Sequence, residues 1–334
     1  MNNIKLPCFY YPTTVTVLDD DQIFLENLTS NLSDQIQYQR FDNPTLALTF
    51  LQQQQNTAPS SQEFLQADSS DDFAQHGKSV VNVNLANIHN KLYNKQRFDI
   101  TSVVVVDHDM PGMNGIEFCK KLDNNSIKKI MLTGVADHKI AINAFNDGVI
   151  HKFIMKDDPN VFEAIDKAIF EIQQDYFFDL SELIIKNITA STFSYLSNKK
   201  FISFFMELIK KNSIAEFYLI DAIGSFLLVK NNGDIMWLIV KSDQEIANDL
   251  QIAIDQDAPK EIINILKEKK ELLFLFTEED YKQPVEKWPA HLYQAKIMEN
   301  VDGCYYALIQ GEMVSRITGI HKDKIYSYVN YLQK

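Results

Sequence analysis

Through the first 175 residues, short apolar runs alternate with stretches whose apolar positions recur at helical spacing. Val15–Leu18, Val103–Val106, Lys129–Leu132 and His151–Met155 read as strands, and Gln22–Leu32, Gly115–Leu122, Lys139–Asp147 and Val161–Phe170 as helices. A further strand is expected at Tyr38–Phe41 and a helix over Leu46–Leu51. Strand–helix alternation with near-continuous apolar strands predicts an α/β, doubly wound parallel sheet with helices on both faces and right-handed crossovers.

One segment breaks the rhythm. From about residue 52 to 82 the chain is rich in Gln, Ser and Asp, with few apolar side chains to offset the entropy of ordering it. It is expected to be a largely mobile insertion, followed by a helix over Val83–Asn94. Helical spacing continues past Val161 through Ile172 and Phe177 towards Ile188, without a Pro or Gly linker, so one long helix or two abutting helices join the halves. The division expected from this pattern is 1–175 for the α/β unit with its insertion, 176–215 for connecting helices and 216–334 for a second unit.

In that second unit Phe217–Ile220, Ser225–Lys230 and Ile235–Val240 are strand-like, and Asn232-Gly233 between the last two favours a hairpin. Helices are expected over Asp243–Ile254 and Pro259–Lys269. Strands at Leu272–Phe276, His291–Glu299 and Gly303–Gln310 and a helix over Asp323–Leu332 complete a smaller α+β unit with an antiparallel sheet. Trp237, Phe226, Leu228, Ile235 and Ile239 are expected on one buried face, as core and not as a ligand pocket.

Composition narrows the function. The chain has 334 residues and a formal net charge of −13, with the acidic excess in its first half. Phosphate neutralisation needs clustered Lys and Arg, so charge gives no support to nucleic-acid binding. The one dense basic run of the second half, Lys267, Lys269 and Lys270, reads as a solvated helix end. Neither a leader pattern nor an apolar run of about 18 residues is present, which predicts a cytoplasmic protein with no membrane partner. Cys8, Cys119 and Cys304 are too scattered for zinc or disulfides to be expected.

The candidate chemistry lies where strands end. Asp19-Asp20-Asp21 follows the first apolar strand and Asp107-His108-Asp109 follows the four valines. In a doubly wound sheet the ligand site lies beyond the carboxyl ends of the strands. Two carboxylates there can hold a hard cation such as Mg²⁺, and that cation lets a third act as nucleophile toward a phosphoryl group. Pro111 and Gly112 turn the chain after the strand, and Gly115 allows close backbone packing where the next helix begins.

An acidic pair after the first strand, Asp-x-x-Met-Pro-Gly-x-x-Gly after the third, Thr133 after the fourth and Lys156 after the fifth resemble the receiver domain of two-component response regulators. The resemblance covers Thr14 to about Phe170. It implies Asp107 as phosphoacceptor, with Mg²⁺ held by Asp19, Asp20, Asp107 and the backbone carbonyl of Asp109. It also implies Thr133 and Lys156 as phosphate-binding residues, and Thr133 and Phe153 as the switch. The partners implied are a sensor histidine kinase or phosphotransfer protein and a second copy in a phosphorylation-dependent homodimer.

Three departures stand out. Asp157 follows Lys156 where the family commonly has Pro, the Asp20-to-Asp107 spacing is about double the family's, and Asp109 adds a carboxylate near the phosphate. Together with the insertion, the second half makes the whole chain similar to a quorum-sensing response regulator with an atypical output domain. The alternative is a phosphatase of the haloacid-dehalogenase type using Asp107 and Asp109. That reading leaves Asp19 and Asp20 without a role.

Overall fold

The computed structural model describes residues 6–54, 59–67, 81–122, 126–134, 137–191, 195–311, 314, 320 and 322–333. Cα packing groups the chain into two compact units that are not consecutive in sequence: Tyr10–Leu65 with Asn94–Ile184 and Tyr331–Lys334, and Met1–Phe9 with Gln66–Tyr93 and Ile185–Asn330. The division read along the chain, at about 175 and 216, differs from this grouping. Among the described residues, 66–67 and 81–93, expected inside the α/β unit, group with the second one.

The α/β unit contains β1 (Thr14–Leu18), α1 (Gln22–Asn31), β2 (Tyr38–Phe41), α2 (Pro44–Gln54), β3 (Thr101–Asp107), α3 (Gly115–Lys121), β4 (Lys128–Thr133), α4 (His138–Asn146), β5 (Lys152–Met155) and, as far as Ile184, α5 (Val161–Ser191). All five strands are parallel, in the order β2-β1-β3-β4-β5. The order reverses between β1 and β3, so the crevice at their carboxyl ends is the expected ligand position. Alternating strand residues feed two cores: Val15, Val17, Val103 and Val105 pack under α1 and α5. Leu18, Val104 and Val106 pack under α2, α3 and α4 on the other face.

The glutamine-rich segment is more structured than its composition predicts. Helix α2 runs through Gln54, whose side-chain amide donates to the Asp99 carbonyl (2.9 Å) and accepts from the Thr101 N–H (2.9 Å). That glutamine ties the helix end to the start of β3, a long-range bond no local pattern reveals. Ser60 and Glu63 form a reciprocal cap on a 3-10 turn, Ser61–Phe64, that buries Phe64. Short strands Leu65–Ala67 and Val81–Val83 pair with each other. The expectation of a mobile loop therefore fails for the described residues, while its other members, 55–58 and 68–80, lie outside them. The helix expected over Val83–Asn94 is shorter, Leu85–His89, with a 3-10 turn after it.

The second unit contains α6 (Lys199–Lys211), β6 (Ile214–Leu219), β7 (Phe226–Lys230) and β8 (Ile235–Ser242). Strand Cys304–Gln310 pairs antiparallel with β8 and Lys296–Ile297 with that strand, and the short strand from Phe9 lies beside β6 in the same sheet. The β7–β8 hairpin has a four-residue loop, with Val229 opposite Ile235, and Gly233 in the left-handed region at φ +81°. This register corrects the expected single apolar face. Phe226 and Leu228 lie opposite Leu238 and Met236, on the other side from Ile235, Trp237 and Ile239. Phe205 of α6 covers Phe226 (ring centroids 4.5 Å apart), and Phe274 and Phe276 cover Trp237 (5.1 and 4.7 Å). Two further expectations shorten: the strand around Leu272 is Glu271–Leu273, and the last helix is Tyr328–Leu332.

One ionisable group inside the α/β unit makes its stability depend on pH. His151 Nδ1 accepts the Lys129 backbone N–H (3.1 Å). Burial first, then the charges of Lys128 and Lys129, push its imidazole down to about 4 from 6.5. The folded state therefore binds fewer protons than the unfolded chain between those values, and stability falls as pH drops through that window. Allowing for partial exposure, we expect roughly 1–2 kcal/mol of this loss to disappear in His151→Asn, read from urea titrations at pH 7 and 4.5. Parallel pH profiles for the two proteins would rule this out.

Candidate functional site

Strands β1 and β3 end side by side, with Leu18 opposite Val106, so Asp19 and Asp107 emerge at adjacent positions. Asp19 is fully buried, Asp107 nearly so, and Asp20 is exposed. One carboxylate oxygen from each of Asp19, Asp20 and Asp107 lies within 4.8 Å of the others, the only such group of three among the described residues. Asp21 takes a different part: its carboxylate caps α1, accepting from Ile23 N–H (2.9 Å) and Phe24 N–H (3.1 Å). Asp21 also donates its own N–H to Asp19 Oδ1 (3.0 Å), which orients that carboxylate.

Lys156 reaches the cluster from the end of β5. Its Nζ is 2.8 Å from Asp19 Oδ2 and 2.8 Å from Asp107 Oδ1. Burial alone would lower the lysine, but the hydrogen bonds and charges of the two aspartates outweigh it and hold the ammonium above its ordinary range. Burial raises the Asp19 carboxyl, with Lys156 opposing and the Asp107 charge adding to the rise. Phe24, absent from the sequence-based site, lies under Lys156 Nζ at 4.6 Å from the ring centroid. Its signal was weak: an aromatic residue in the first turn after an acidic run.

Thr133 ends β4 at the same edge of the sheet, one residue beyond the Asp107–Leu132 pairing, and is buried. Its hydroxyl donates to the Gly134 carbonyl (3.1 Å), and its own carbonyl accepts the Lys156 N–H (2.9 Å). Asp109 is exposed beyond Asp107. Phe153 is partly buried on the α4 side of the sheet, edge-on to His138 (5.4 Å) and 6.4 Å from Phe145. His108 sits 4.0 Å from Asp137 through Nε2 and is not a member of the carboxylate cluster. No cis peptide occurs among the described residues, so the bond between Lys156 and Asp157 is trans.

The donor set fits a hard cation. Three carboxylates at one mouth, one of them exposed, match the oxygen ligation of Mg²⁺, which keeps several waters and binds through one or two carboxylates plus phosphate. A lone ammonium shared by two buried carboxylates leaves the cluster net negative, which favours a divalent ion. The phosphatase alternative gains nothing from this geometry, because Asp19 and Asp20, which it does not use, stand beside Asp107.

The sheet order and the acidic mouth define a receiver-type signalling protein. The family description "Response regulator receiver domain" matches residues 70–166. The chain belongs to the response regulators: it is similar to the Legionella pneumophila response regulator LqsR, with 34% identity over 98% of this chain and 95% of that one, at a TM-score of 0.81. Two shorter likenesses are to an adenylate cyclase from Rhodopirellula baltica (23% identity, 52% of this chain and 97% of that chain, TM-score 0.35) and to a response regulator receiver domain protein from Clostridium thermocellum (17%, 52% and 98%, TM-score 0.32). No curated protein matches the sequence. No helix among the described residues is long and apolar enough to cross a membrane.

Proposed function

We propose that the protein is a phosphorelay switch whose Asp107 accepts a phosphoryl group from a phosphohistidine of a sensor kinase or phosphotransfer protein in the cytoplasm. The observation that carries this reading is Lys156 Nζ held at 2.8 Å from both Asp107 and Asp19, with Asp20 in the same cluster. An Asp107 carboxylate oxygen attacks phosphorus, the P–N bond breaks, and the imidazole leaves with a proton. Asp19, Asp20, Asp107 and the Asp109 carbonyl would hold Mg²⁺, which when bound neutralises phosphoryl oxygens facing the carboxylates. Lys156 supplies a fixed positive charge to one phosphoryl oxygen. The Thr133 hydroxyl turns from the Gly134 carbonyl to donate to another.

The turn of Thr133 frees space into which Phe153 moves, and the α4 surface changes its preferred partner. Ile140 and Phe145 are exposed on α4, and Phe145 neighbours Phe153, which supports a phosphorylation-dependent homodimer through this face. The gain is a shift of population set by the difference in affinity between the two states. Quorum sensing is the circuit implied by the whole-chain resemblance. Charge gives nucleic acid no support as the output's target.

Incubation with acetyl phosphate is the test. We expect a stable one-to-one phosphoprotein that needs Mg²⁺ and is absent in Asp107→Asn. Multiple turnover of p-nitrophenyl phosphate would favour the phosphatase instead, and labelling that survives in Asp107→Asn would end the proposal. Asp109→Asn should keep the label and change its lifetime about threefold, since a carboxylate near the acyl phosphate acts on the attacking water through its charge; an identical decay would show that Asp109 has no part in it.

A further inference from the structure

We propose that Phe24 is a positioning residue for the Lys156 ammonium: its ring is a platform that holds Nζ between Asp19 and Asp107. This deepens the phosphoacceptor reading and rests on it for its effect on rate. The ammonium has three N–H donors, and two of them are directed at Asp19 Oδ2 and Asp107 Oδ1, both at 2.8 Å. The lysine side chain keeps about a quarter of its surface exposed, so without a further partner it could swing toward water. The Phe24 ring closes one side, with its centroid 4.6 Å from Nζ, inside the range in which the negative face of an aromatic ring attracts a cation.

The ring is fixed from behind and from below. Its backbone N–H donates to the Asp21 cap (3.1 Å), which pins the first turn of α1 directly after the acidic pair. The ring neighbours Phe162 of the first turn of α5, with ring centroids 6.0 Å apart and planes tilted by 41°. Phe24 is thus clamped between the element that carries the acidic pair and the helix that follows Lys156. A flexible four-carbon stem loses rotamer freedom when its charged end is held, and a preplaced platform removes that loss from the phosphoryl-transfer step. The consequence is kinetic: the charge that meets the incoming phosphoryl oxygens stands in place beforehand.

The experiment uses the full chain with Phe24→Leu, which keeps apolar bulk but has no ring, and Phe24→Tyr, which keeps the ring. Two readouts are taken. In lysine-labelled NMR spectra, assigned with Lys156→Arg, the Lys156 methylene protons next to Nζ should show an upfield ring-current shift that Phe24→Leu loses and Phe24→Tyr retains. With acetyl phosphate and Mg²⁺, Phe24→Leu should lower the saturating phosphorylation rate about five- to tenfold with little change in half-saturation, and Phe24→Tyr should restore it. A wild-type rate in Phe24→Leu, or a slow rate that Phe24→Tyr does not rescue, overturns the platform. If the wild-type chain forms no Mg²⁺-dependent acyl phosphate, the phosphoacceptor reading fails instead. The NMR readout then decides the platform alone, and a Lys156 resonance unmoved by Phe24→Leu removes it.

Discussion

Lys156→Met should destabilise the Mg²⁺-free protein by about 3 kcal/mol at pH 7, and millimolar Mg²⁺ should recover most of that loss. The single ammonium at 2.8 Å from Asp19 and Asp107 is the neutralising charge for two buried carboxylates. Removing it leaves like charges facing one another in a poorly solvated crevice, which costs far more than losing a surface ion pair. A divalent ion at the same carboxylates supplies the missing positive charge. The variant should therefore bind Mg²⁺ more tightly than the wild type, in which the ammonium already occupies part of that field.

The pH dependence of this variant has a definite sign. Burial raises the Asp19 carboxyl in the intact protein, and Lys156 opposes that rise. Without the lysine the carboxyl rises further, so the folded state takes up its proton at a higher pH than the unfolded chain does. This group's contribution to stability in the metal-free variant therefore grows as pH falls from neutrality, opposite to ordinary acid denaturation. Urea titrations at two pH values, with and without Mg²⁺, give all four numbers. An equal loss under every condition would mean that Lys156 acts through packing of its stem and not through its charge.

The charge balance at this mouth was only partly legible in the residue order. Apolar runs ending in Asp19, Asp107, Thr133 and Lys156 are local patterns, so the five parallel strands and their shared edge could be read directly. Which groups touch is set by side-chain reach across strands, and the double contact of Lys156 has no signature in spacing. The same limit explains the insertion. Gln54 in a glutamine run is compositionally indistinguishable from its neighbours, yet its amide satisfies Asp99 and Thr101 some 45 positions away. Residues 66–67 and 81–93 interrupt one unit in sequence and group with the other in space, a relation that no local periodicity contains.

In the second unit the elements were legible and the faces were not. A strand's side chains alternate, so the face assigned to Phe226 relative to Trp237 depends on the exact count of loop residues between them. A two-residue turn at Asn232-Gly233 would put Phe226 opposite Ile239 and Leu228 opposite Trp237, on one face. The observed four-residue loop places Phe226 opposite Leu238, and both faces of these strands are buried by separate aromatic groups. The unbroken apolar runs Phe226–Val229 and Ile235–Val240 are the signal of two covered faces, because neither alternates with polar residues, and both are buried.

Gly115→Ala should be the most damaging one-carbon change in the α/β unit, lowering stability by about 3 kcal/mol and reducing Asp107 phosphorylation at least tenfold. A Cβ at Gly115 would stand 2.3 Å from the Asp107 carbonyl oxygen and 3.1 Å from both the Asp107 carbonyl carbon and His108 Cα. These are backbone atoms with no rotamer to yield. Gly115 also donates its N–H to the His108 carbonyl (2.9 Å), so α3 and the end of β3 are held at the separation the methyl group forbids. Relief requires moving one of them, and β3 carries Asp107. Two neighbouring glycines separate this cause from others. Gly112 has φ +81° with open space around it, so Gly112→Ala should cost about 1 kcal/mol through backbone strain alone. Gly134 has neither a left-handed φ nor a neighbour within 4 Å, so Gly134→Ala should leave stability within about 0.5 kcal/mol of wild type. If Gly115→Ala matched Gly134→Ala in urea midpoint and phosphorylation rate, the close approach of α3 to the phosphoacceptor strand would have no part in fixing Asp107.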